Sequence, residues 1–434
     1  MKYDITKPQP PEMPKLKKGT ECIKNLLSQV SKDIREPITP MLFPILGAHM
    51  KNSLFQYPDL TWKEPCGMMA NLVADSGGNK GQLSNLVEAL CRDFRTHDDL
   101  ELEKLVEWQR QVKTRSSNKE KPPRPDVAFW FPPADVTNAA FLQNAMACEL
   151  LGARTQYLNL PEVEMADRMC GGHKQISQML RNIYDRQRTG ALRATAEGVT
   201  GNPVLRVNFT LSSTPYATRK FYKNDLFNGT FGRMVFSYKP RTARDGRIPR
   251  QGKYDEAFLA KLDEYLVKLD ICQGRFVINP LNRLVDSLAQ DMATLADLTD
   301  DDVLWDMSKR ALVSAWKAGC ILWVLNDQDW TASMGELVEW LVYHDIWSKM
   351  QLFADLLCKE GNSQDTESVG PKNMLNELSN TFSEAQLIAL RLKMGKTEKG
   401  EKNQLRVWKS RGFITYSEET GLYSKTEAYL NRNK

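Results

Sequence analysis

The sequence predicts an α/β protein in which helices cover a parallel sheet, followed by an all-α domain and by a small domain of helices and a hairpin. Three observations support this fold class. Over residues 61–253, apolar runs of strand length alternate with helical segments, which is typical of a helix-covered parallel sheet. Residues 254–360 are rich in Leu, Trp and Ala at helical spacing, and residues 371–434 combine helices with a hairpin pattern.

The length and composition indicate a globular chain with several folded units. The chain has 434 residues, of which 41% are hydrophobic, and this length predicts two or three domains. We expect an N-terminal arm with helices over residues 1–60, a sheet-bearing core over 61–253, a helical domain over 254–360 and a final domain over 371–434. A Ser/Gly/Asp-rich stretch at 361–370 has the composition of a linker.

The charge is unevenly distributed along the chain. The net charge is only +5, but residues 204–253 carry 11 Lys and Arg against 2 Asp and Glu. Residues 371–434 carry 12 Lys and Arg against 7 Asp and Glu. Two basic blocks of this kind predict an anionic partner, and DNA is the one we expect.

The cysteines and the N-terminus point to a cytoplasmic protein. The eight cysteines include no C-x-x-C pair and mostly sit among apolar residues, as expected for buried, reduced thiols. The polar, Pro-rich N-terminus has no apolar signal-peptide core. The most apolar later stretch, residues 321–325, is far too short to span a bilayer, so we expect no membrane association.

Within residues 61–253, a series of buried strands is predicted, with helices between them. Parallel strands place their carboxyl ends along one edge of a sheet, and ligands of α/β proteins bind at that edge. The apolar runs that predict the strands are residues 66–73, 127–131, 155–160 and 205–212.

A Gly-rich turn with a lysine follows the first of these strands. The pattern G-x-x-x-x-G-K-[ST] falls on Ala74, Asn79, Lys80 and Gly81, and only Lys80 matches it strictly. In such loops the backbone N–H groups and the helix N-terminus hold phosphate, and the lysine reaches the β- and γ-phosphates. The alternative is a simple surface turn. We expect ATP to be the ligand. Whether Mg²⁺ binds with it is not predicted, because Gly81 replaces the metal-binding hydroxyl. The predicted contact residues are Asp75, Ser76, Gly77, Gly78, Asn79, Lys80, Gly81 and Gln82.

Three residues are candidates for catalysis of phosphoryl transfer. Glu162 follows the strand at 155–160, and its carboxylate is predicted to orient a water molecule. The alternative is that Glu162 is an ordinary surface acid on a loop. Ser212 ends the strand at 205–212, where a polar side chain can sense the γ-phosphate; capping of the next segment is the alternative. Arg233 is predicted as an arginine finger acting on a neighbouring subunit, with a purely structural role as the alternative and with Arg219 and Lys220 as competitors.

The C-terminal region has the pattern of a winged helix-turn-helix. Ser383 is a predicted N-cap of a helix to Met394, a second helix covers 398–410, and residues 413–416 and 422–424 form the predicted wing. Basic side chains on the second helix suit contacts to DNA phosphates. A protein-docking module with a solvated charged face is the alternative. The predicted DNA-binding residues are Lys399, Lys402, Gln404, Arg406, Lys409 and Arg411.

Taken together, these motifs resemble a largely uncharacterised family of P-loop ATPase-like proteins related to primase- and helicase-associated ATPases of bacterial mobile elements. The resemblance covers residues 40–360. It departs from the family pattern at Ala74, Asn79, Gly81 and Pro161. The segments that carry it are residues 76–83, 102–125, 133–137, 160–164, 207–215 and 231–236.

The resemblance implies a RecA/AAA+-like P-loop NTPase core that forms ring-shaped homo-oligomers and acts with DNA and with other element-encoded replication or transfer proteins. On the matching positions it implies Lys80 as the phosphate lysine, Glu162 as the acidic catalytic residue and Arg233 as the finger. We therefore expect an ATP-binding, DNA-associated protein of replication, mobilisation or transposition. The alternatives are a catalytically degenerate pseudo-ATPase that serves as a docking scaffold, and a DNA-binding regulator.

Overall fold

A computed structural model provides the structure of the chain. No helix among its described residues is both long and apolar enough to cross a membrane. Six cysteines in the described ranges are buried and free of disulfides, as the sequence predicted. The described residues are 3–5, 7–115, 120–152, 154–169, 172–193, 198–226, 228–241, 250–299, 302–360, 374–394 and 400–430.

Helices and short strands alternate along the described part of the chain. The described strands are β1 Ser53–Gln56, β2 Trp62–Lys63, β3 Met69–Ala74, β4 Gln156–Leu160, β5 Val207–Ser213, β6 Val235–Lys239, β7 Gly274–Phe276, β8 Thr381–Phe382, β9 Ile414–Ser417 and β10 Leu422–Lys425. The described α-helices are α1 Glu21–Ser28, α2 Arg35–Ala48, α3 Gly81–Leu90, α4 Arg92–Thr114, α5 Asn138–Leu150, α6 Val163–Arg168, α7 His173–Tyr184, α8 Pro215–Tyr222, α9 Thr230–Arg233, α10 Glu256–Ile271, α11 Asn279–Thr299, α12 Asp302–Leu325, α13 Ala332–Glu360, α14 Met374–Glu377, α15 Glu384–Lys393, α16 Glu401–Ser410 and α17 Glu427–Leu430.

The central sheet has four parallel strands in the order β4-β5-β3-β6, which confirms the predicted helix-covered parallel sheet. The chain passes from β3 to the far strand β4, returns to place β5 between them, and then adds β6 on the other side of β3. The register brings all four strand ends to one edge, since Val73 lies opposite Ser213 and Ala74 opposite Lys239. Such a change of direction in the strand order favours a ligand crevice at that edge.

The helix α2 is the centre of the core. Every residue from Pro37 to Ala48 is buried, including two prolines inside the helix. The helix packs against β3, β5 and β6. Two polar side chains of the sheet bind its backbone: the Asn208 amide donates to the Pro44 carbonyl at 2.8 Å, and the Ser237 hydroxyl donates to the Pro37 carbonyl at 2.7 Å. These contacts pair polar groups that would otherwise be costly to bury.

Side chains close one edge of the sheet, along β6. The backbone N–H of Phe236 donates to Asp345 at 2.8 Å, and the N–H of Tyr238 donates to Ser348 at 3.0 Å, both on α13. Unpaired edge N–H groups are a template for pairing with other chains, and these helix side chains occupy them.

The other edge differs from the sequence prediction. Residues 127–131, predicted as a strand, form an extended segment in which only Trp130 bonds to the sheet, through its carbonyl to the N–H of Tyr157 at 2.8 Å. On its outer side, the N–H groups of Trp130 and Phe131 each donate to the Asp98 carboxylate at 2.7 Å. Side-chain acceptors here take the place of a strand ladder.

The helices α10–α13 share one buried core with the sheet. This core extends from Ile5 to Leu357, so the three predicted segments before residue 360 pack as a continuous body.

The Pro-rich N-terminal arm is held along α13, where the indole N–H groups of Trp340 and Trp347 donate to the carbonyls of Pro11 and Lys7 at 2.8 Å each.

The C-terminal residues have a separate hydrophobic cluster. The strands β8, β10 and β9 form an antiparallel sheet in that order, and they pack with α14, α15 and α16. The predicted cap is confirmed as a capping box, in which Ser383 accepts from the N–H of Gln386 and the Gln386 side chain accepts from the N–H of Ser383. Within this structure, α16 lies against α11, and Arg406 forms an ion pair with Asp4 at 3.1 Å.

Candidate functional site

The loop between β3 and α3 has the predicted strand-turn-helix layout. Two of its residues have left-handed backbone conformations, Gly77 with φ of +79° and Asn79 with φ of +66°. Glycine and asparagine are the residues that adopt this conformation most readily. A hydrogen bond from the N–H of Gly78 to the Asp75 carbonyl, at 2.9 Å, closes the turn. The sequence therefore folds the chain back on itself just before the first turn of α3.

The loop presents backbone donors that no described residue uses. Among the described residues, the N–H groups of Ser76, Gly77, Asn79, Lys80 and Gly81 find no hydrogen-bond acceptor. Consecutive N–H groups around left-handed residues form a concave nest for anions, and the N-terminus of α3 adds a partial positive charge. The loop thus has the donors that phosphate oxygens require.

Lys80 lies against the loop that precedes it. Its ammonium group donates to the Ala74 carbonyl at 2.7 Å and to the Asp75 carbonyl at 3.3 Å. Burial lowers the pKa of Lys80, and the negative charges of Glu162, Asp75 and Glu164 act in the opposite direction. Lys80 is thus a partly desolvated cation at the carboxyl edge of the sheet, with acidic residues on the same side of the molecule.

Glu162 and Ser212 reach the same edge of the sheet as the loop. Glu162 is exposed and directly precedes α6, two residues beyond the end of β4. Ser212 is opposite Leu72 in the strand register and is only 6% exposed. The neighbouring Ser213 hydroxyl binds the Asn71 side chain at 2.9 Å, and Thr214 caps α8. The structure therefore brings the loop, Glu162 and Ser212 together at one edge, as expected from the parallel strands.

Arg233 has a different location. It precedes β6, whose first residue lies opposite Ala70 near the start of β3, so Arg233 is at the edge opposite to the loop. Its guanidinium group pairs with Asp185 at 2.5 Å and donates to the Gly229 carbonyl at 2.8 Å. As placed, Arg233 does not reach the loop of its own chain, and the role of a finger in a neighbouring subunit stays a prediction.

Gln82 anchors the loop instead of facing a ligand. Its side chain is 4% exposed and exchanges two hydrogen bonds with Ser31: the Ser31 N–H donates at 2.7 Å and the Gln82 amide donates to the hydroxyl at 2.5 Å. We expected Gln82 to contact ATP, and this side chain is committed to the N-terminal segment. The first turn of α3 is thereby fixed to residues 31–34.

Sequence reasoning missed two charged residues beside the loop. Lys239, the last residue of β6, donates to the Gly78 carbonyl at 3.3 Å and to Asp33 at 2.5 Å. Asp33 also accepts from the Asn79 side chain at 2.9 Å. The basic composition of residues 204–253 was a signal for Lys239, but its contact with the loop depends on the strand order.

The site fits phosphate better than it fits a metal. Gly81 occupies the position of the hydroxyl that binds Mg²⁺ in phosphate-binding loops. Among the described residues, no group of three or more His, Cys, Asp or Glu side chains is arranged to hold a metal ion. The loop N–H groups and Lys80 remain suited to bind a triphosphate directly.

Three of the six predicted DNA-binding residues share one exposed face of α16. Lys402, Arg406 and Lys409 are exposed, as expected for helix positions spaced by four and three residues. Gln404 is fully buried and accepts a hydrogen bond from Arg391, and Arg411 is 7% exposed. Neither the Gln404 nor the Arg411 side chain is therefore exposed on α16 for contact with DNA. The sixth, Lys399, lies outside the described residues.

Comparison of the chain with protein-family models gives no match. Comparison with curated proteins gives no match either. Function is therefore inferred from the loop, the sheet edge and the basic helix.

Proposed function

We propose that the chain binds a nucleoside triphosphate, with ATP as the expected ligand, at the loop of residues 75–81. The observation that carries this proposal is the set of loop N–H groups at the N-terminus of α3 for which the described residues supply no acceptor, next to the Lys80 ammonium group. A triphosphate would displace the Ala74 and Asp75 carbonyls from Lys80 and offer it oxygens that carry a full negative charge. Such charge-assisted bonds are stronger than bonds to a neutral carbonyl.

The strand order supports a P-loop NTPase-like site. Because β5 lies between the loop strand β3 and the acid-bearing strand β4, Ser212 is placed between Lys80 and Glu162 along the edge. This arrangement favours a triphosphate whose terminal phosphate extends from the loop towards Glu162. The exposed Glu162 carboxylate is then suited to orient a water molecule, and Ser212 to contact the terminal phosphate.

Calorimetric titration of the purified chain with ATP tests the proposal. We expect saturable binding at one site per chain. If ATP gives no binding heat up to millimolar concentrations, and displaces no fluorescent ATP analogue, the proposal that the chain binds a nucleotide is wrong.

The alternative within the same site is a pseudo-ATPase that binds nucleotide without turning it over. Gly81 favours it because the metal-binding hydroxyl is missing. A Cβ atom at Gly81 would meet no atom within 4 Å, so the backbone here has room for the serine of Gly81→Ser. We expect Gly81→Ser to gain about tenfold in Mg²⁺-dependent ATP affinity, roughly 1.4 kcal/mol.

Gly81→Ala is the matched control, since it adds the same carbon without an oxygen. ATP affinities are measured for both variants in Mg²⁺ and in EDTA. If Gly81→Ser behaves like Gly81→Ala, the missing hydroxyl is not what limits metal binding. Mg²⁺-dependent hydrolysis by the unmodified chain would exclude the pseudo-ATPase.

DNA binding is the second candidate function, favoured by the exposed face of Lys402, Arg406 and Lys409. The order of helices and strands in residues 374–430 supports a winged helix. We expect the triple alanine variant of these residues to weaken duplex binding and to reduce the slope of log K against log salt concentration by about 3, since each phosphate contact contributes about 0.9.

Fluorescence anisotropy with a labelled duplex over a salt series measures this slope. Lys261→Ala/Lys309→Ala, which removes exposed cations of α10 and α12, is the control. An unchanged slope in the triple variant would discard this helix as a DNA contact. Replication, mobilisation or transposition of a mobile element, in a ring-forming oligomer, remains the proposed setting for both activities.

A further inference from the structure

A buried lysine lies beside the phosphate-binding loop at a position that the loop motif does not include. Lys239 ends β6 directly opposite Ala74, the last residue of β3. The Lys239 side chain is 8% exposed, and its ammonium group contacts the Gly78 carbonyl within the loop turn. Burying an ammonium group is costly unless an opposite charge and hydrogen-bond acceptors compensate it.

Asp33 supplies that opposite charge from a distant part of the sequence. One carboxylate oxygen of Asp33 accepts from both the Lys239 ammonium group and the Asn79 amide. The same carboxylate thus contacts the buried cation and the left-handed residue of the loop. The bonds from Lys239 and Asn79 lower the pKa of Asp33 against the opposing effect of burial, so Asp33 is ionised at neutral pH. Asp33 is itself 39% exposed, which leaves it room to move into solvent.

We propose that Lys239 is a second phosphate-binding cation of the loop, and that Asp33 is the internal anion that Lys239 exchanges for a phosphate group of the nucleotide. The proposal rests on the function proposed above and specifies how the same site is regulated. A triphosphate carries more negative charge than one carboxylate and is a stronger partner for a buried ammonium group. Release of Asp33 would remove one of the contacts between residues 31–34 and the loop, and would leave the Ser31–Gln82 bonds to the first turn of α3 in place.

A purely structural ion pair predicts a different outcome. If Asp33 and Lys239 only hold the loop in shape, removing either of them distorts the loop and weakens nucleotide binding. If Asp33 competes with phosphate for Lys239, the two substitutions change the affinity in opposite directions. The sign of the Asp33→Asn effect therefore separates the two explanations.

The experiment measures ATP dissociation constants by calorimetry for the full chain and for Asp33→Asn, Lys239→Gln and the double variant. We expect Asp33→Asn to tighten binding about fivefold or more, in the range of typical coupling energies. Lys239→Gln should weaken binding about tenfold, and Asp33→Asn should have no effect in the Lys239→Gln background, because Asp33 acts through Lys239. Asp306→Asn and Lys309→Gln, which break an exposed ion pair on α12, are the charge-matched controls.

Each other outcome overturns the proposal. Weaker or unchanged binding by Asp33→Asn makes the pair structural. Tighter binding by the double variant than by Lys239→Gln alone means that Asp33 repels the nucleotide directly. Should Lys239→Gln fail to fold, the sign for the near-isosteric Asp33→Asn still separates the exchange from a purely structural pair, and Lys239→Met replaces Lys239→Gln in the comparison with the double variant. Two kinds of failure are distinguishable. If only this proposal is wrong, the unmodified chain still binds ATP through Lys80. If the loop is not a nucleotide site, neither the unmodified chain nor Asp33→Asn binds ATP.

Discussion

Replacing Lys80 with alanine is expected to lower the affinity for ATP about 100-fold, or roughly 3 kcal/mol. The reason is that the Lys80 ammonium group already contacts the Ala74 and Asp75 carbonyls, at the edge of the sheet where Glu162 and Ser212 lie. The fold should be little affected, because the side chain is only partly buried and its present acceptors are neutral. Calorimetric titration with ATP, together with thermal unfolding of both proteins, measures the two effects.

Lys309→Ala is the control for this substitution, since it removes the same charge from an exposed ion pair on α12. Its ATP affinity should match that of the unmodified chain. A Lys80→Ala variant that binds ATP within threefold of the unmodified chain would place the nucleotide elsewhere.

Replacing Asp345 with asparagine is expected to lower the free energy of unfolding by about 3–5 kcal/mol. The carboxylate is 2% exposed, accepts the edge N–H of Phe236 at 2.8 Å, and pairs with the fully buried Lys349 at 2.8 Å. Asparagine keeps the volume but leaves the Lys349 charge buried without its partner. Urea unfolding followed by tryptophan fluorescence measures this change, and two of the ten tryptophans, Trp340 and Trp347, lie on the same helix as Asp345.

The complementary variant tests whether the effect comes from the charge pair. We expect Lys349→Met to be destabilising by a similar amount, and Asp345→Asn/Lys349→Met to cost clearly less than the sum of the two single changes. Asp306→Asn, in an exposed pair, should shift the stability by less than about 1 kcal/mol. Additive effects of Asp345→Asn and Lys349→Met would contradict the proposed coupling.

Local signals in the sequence predicted the elements that carry the loop. The apolar run ending at Val73, the Gly-Gly turn and the following amphipathic segment are all short-range features, and the structure has β3, the turn and α3 at those positions. The helix α5 also follows a local signal, because the Thr137 hydroxyl just before it accepts the N–H of Ala140. Caps and turns of this kind depend on a few adjacent residues.

Contacts between distant residues could not be predicted in this way. The ion pair of Lys239 with Asp33 joins positions 206 residues apart and depends on β6 lying next to β3. The segment 127–131 has a strand composition, yet acceptors on α4, such as Asp98, replace a neighbouring strand. In α16, helical spacing correctly predicts that Lys402, Arg406 and Lys409 share an exposed face. Gln404 was predicted to be exposed because it is polar, and it is buried.

A crystal structure of the chain with a non-hydrolysable ATP analogue tests the central claim most directly. We expect the β-phosphate at hydrogen-bond distance from the Lys80 ammonium group and from several of the available N–H groups, which are those of Ser76, Gly77, Asn79, Lys80 and Gly81. Lys80 should by then have left the Ala74 carbonyl. A saturated crystal in which the analogue binds elsewhere, or in which Lys80 keeps its bond to Ala74 beside an empty loop, would contradict the assignment of this turn as a phosphate site.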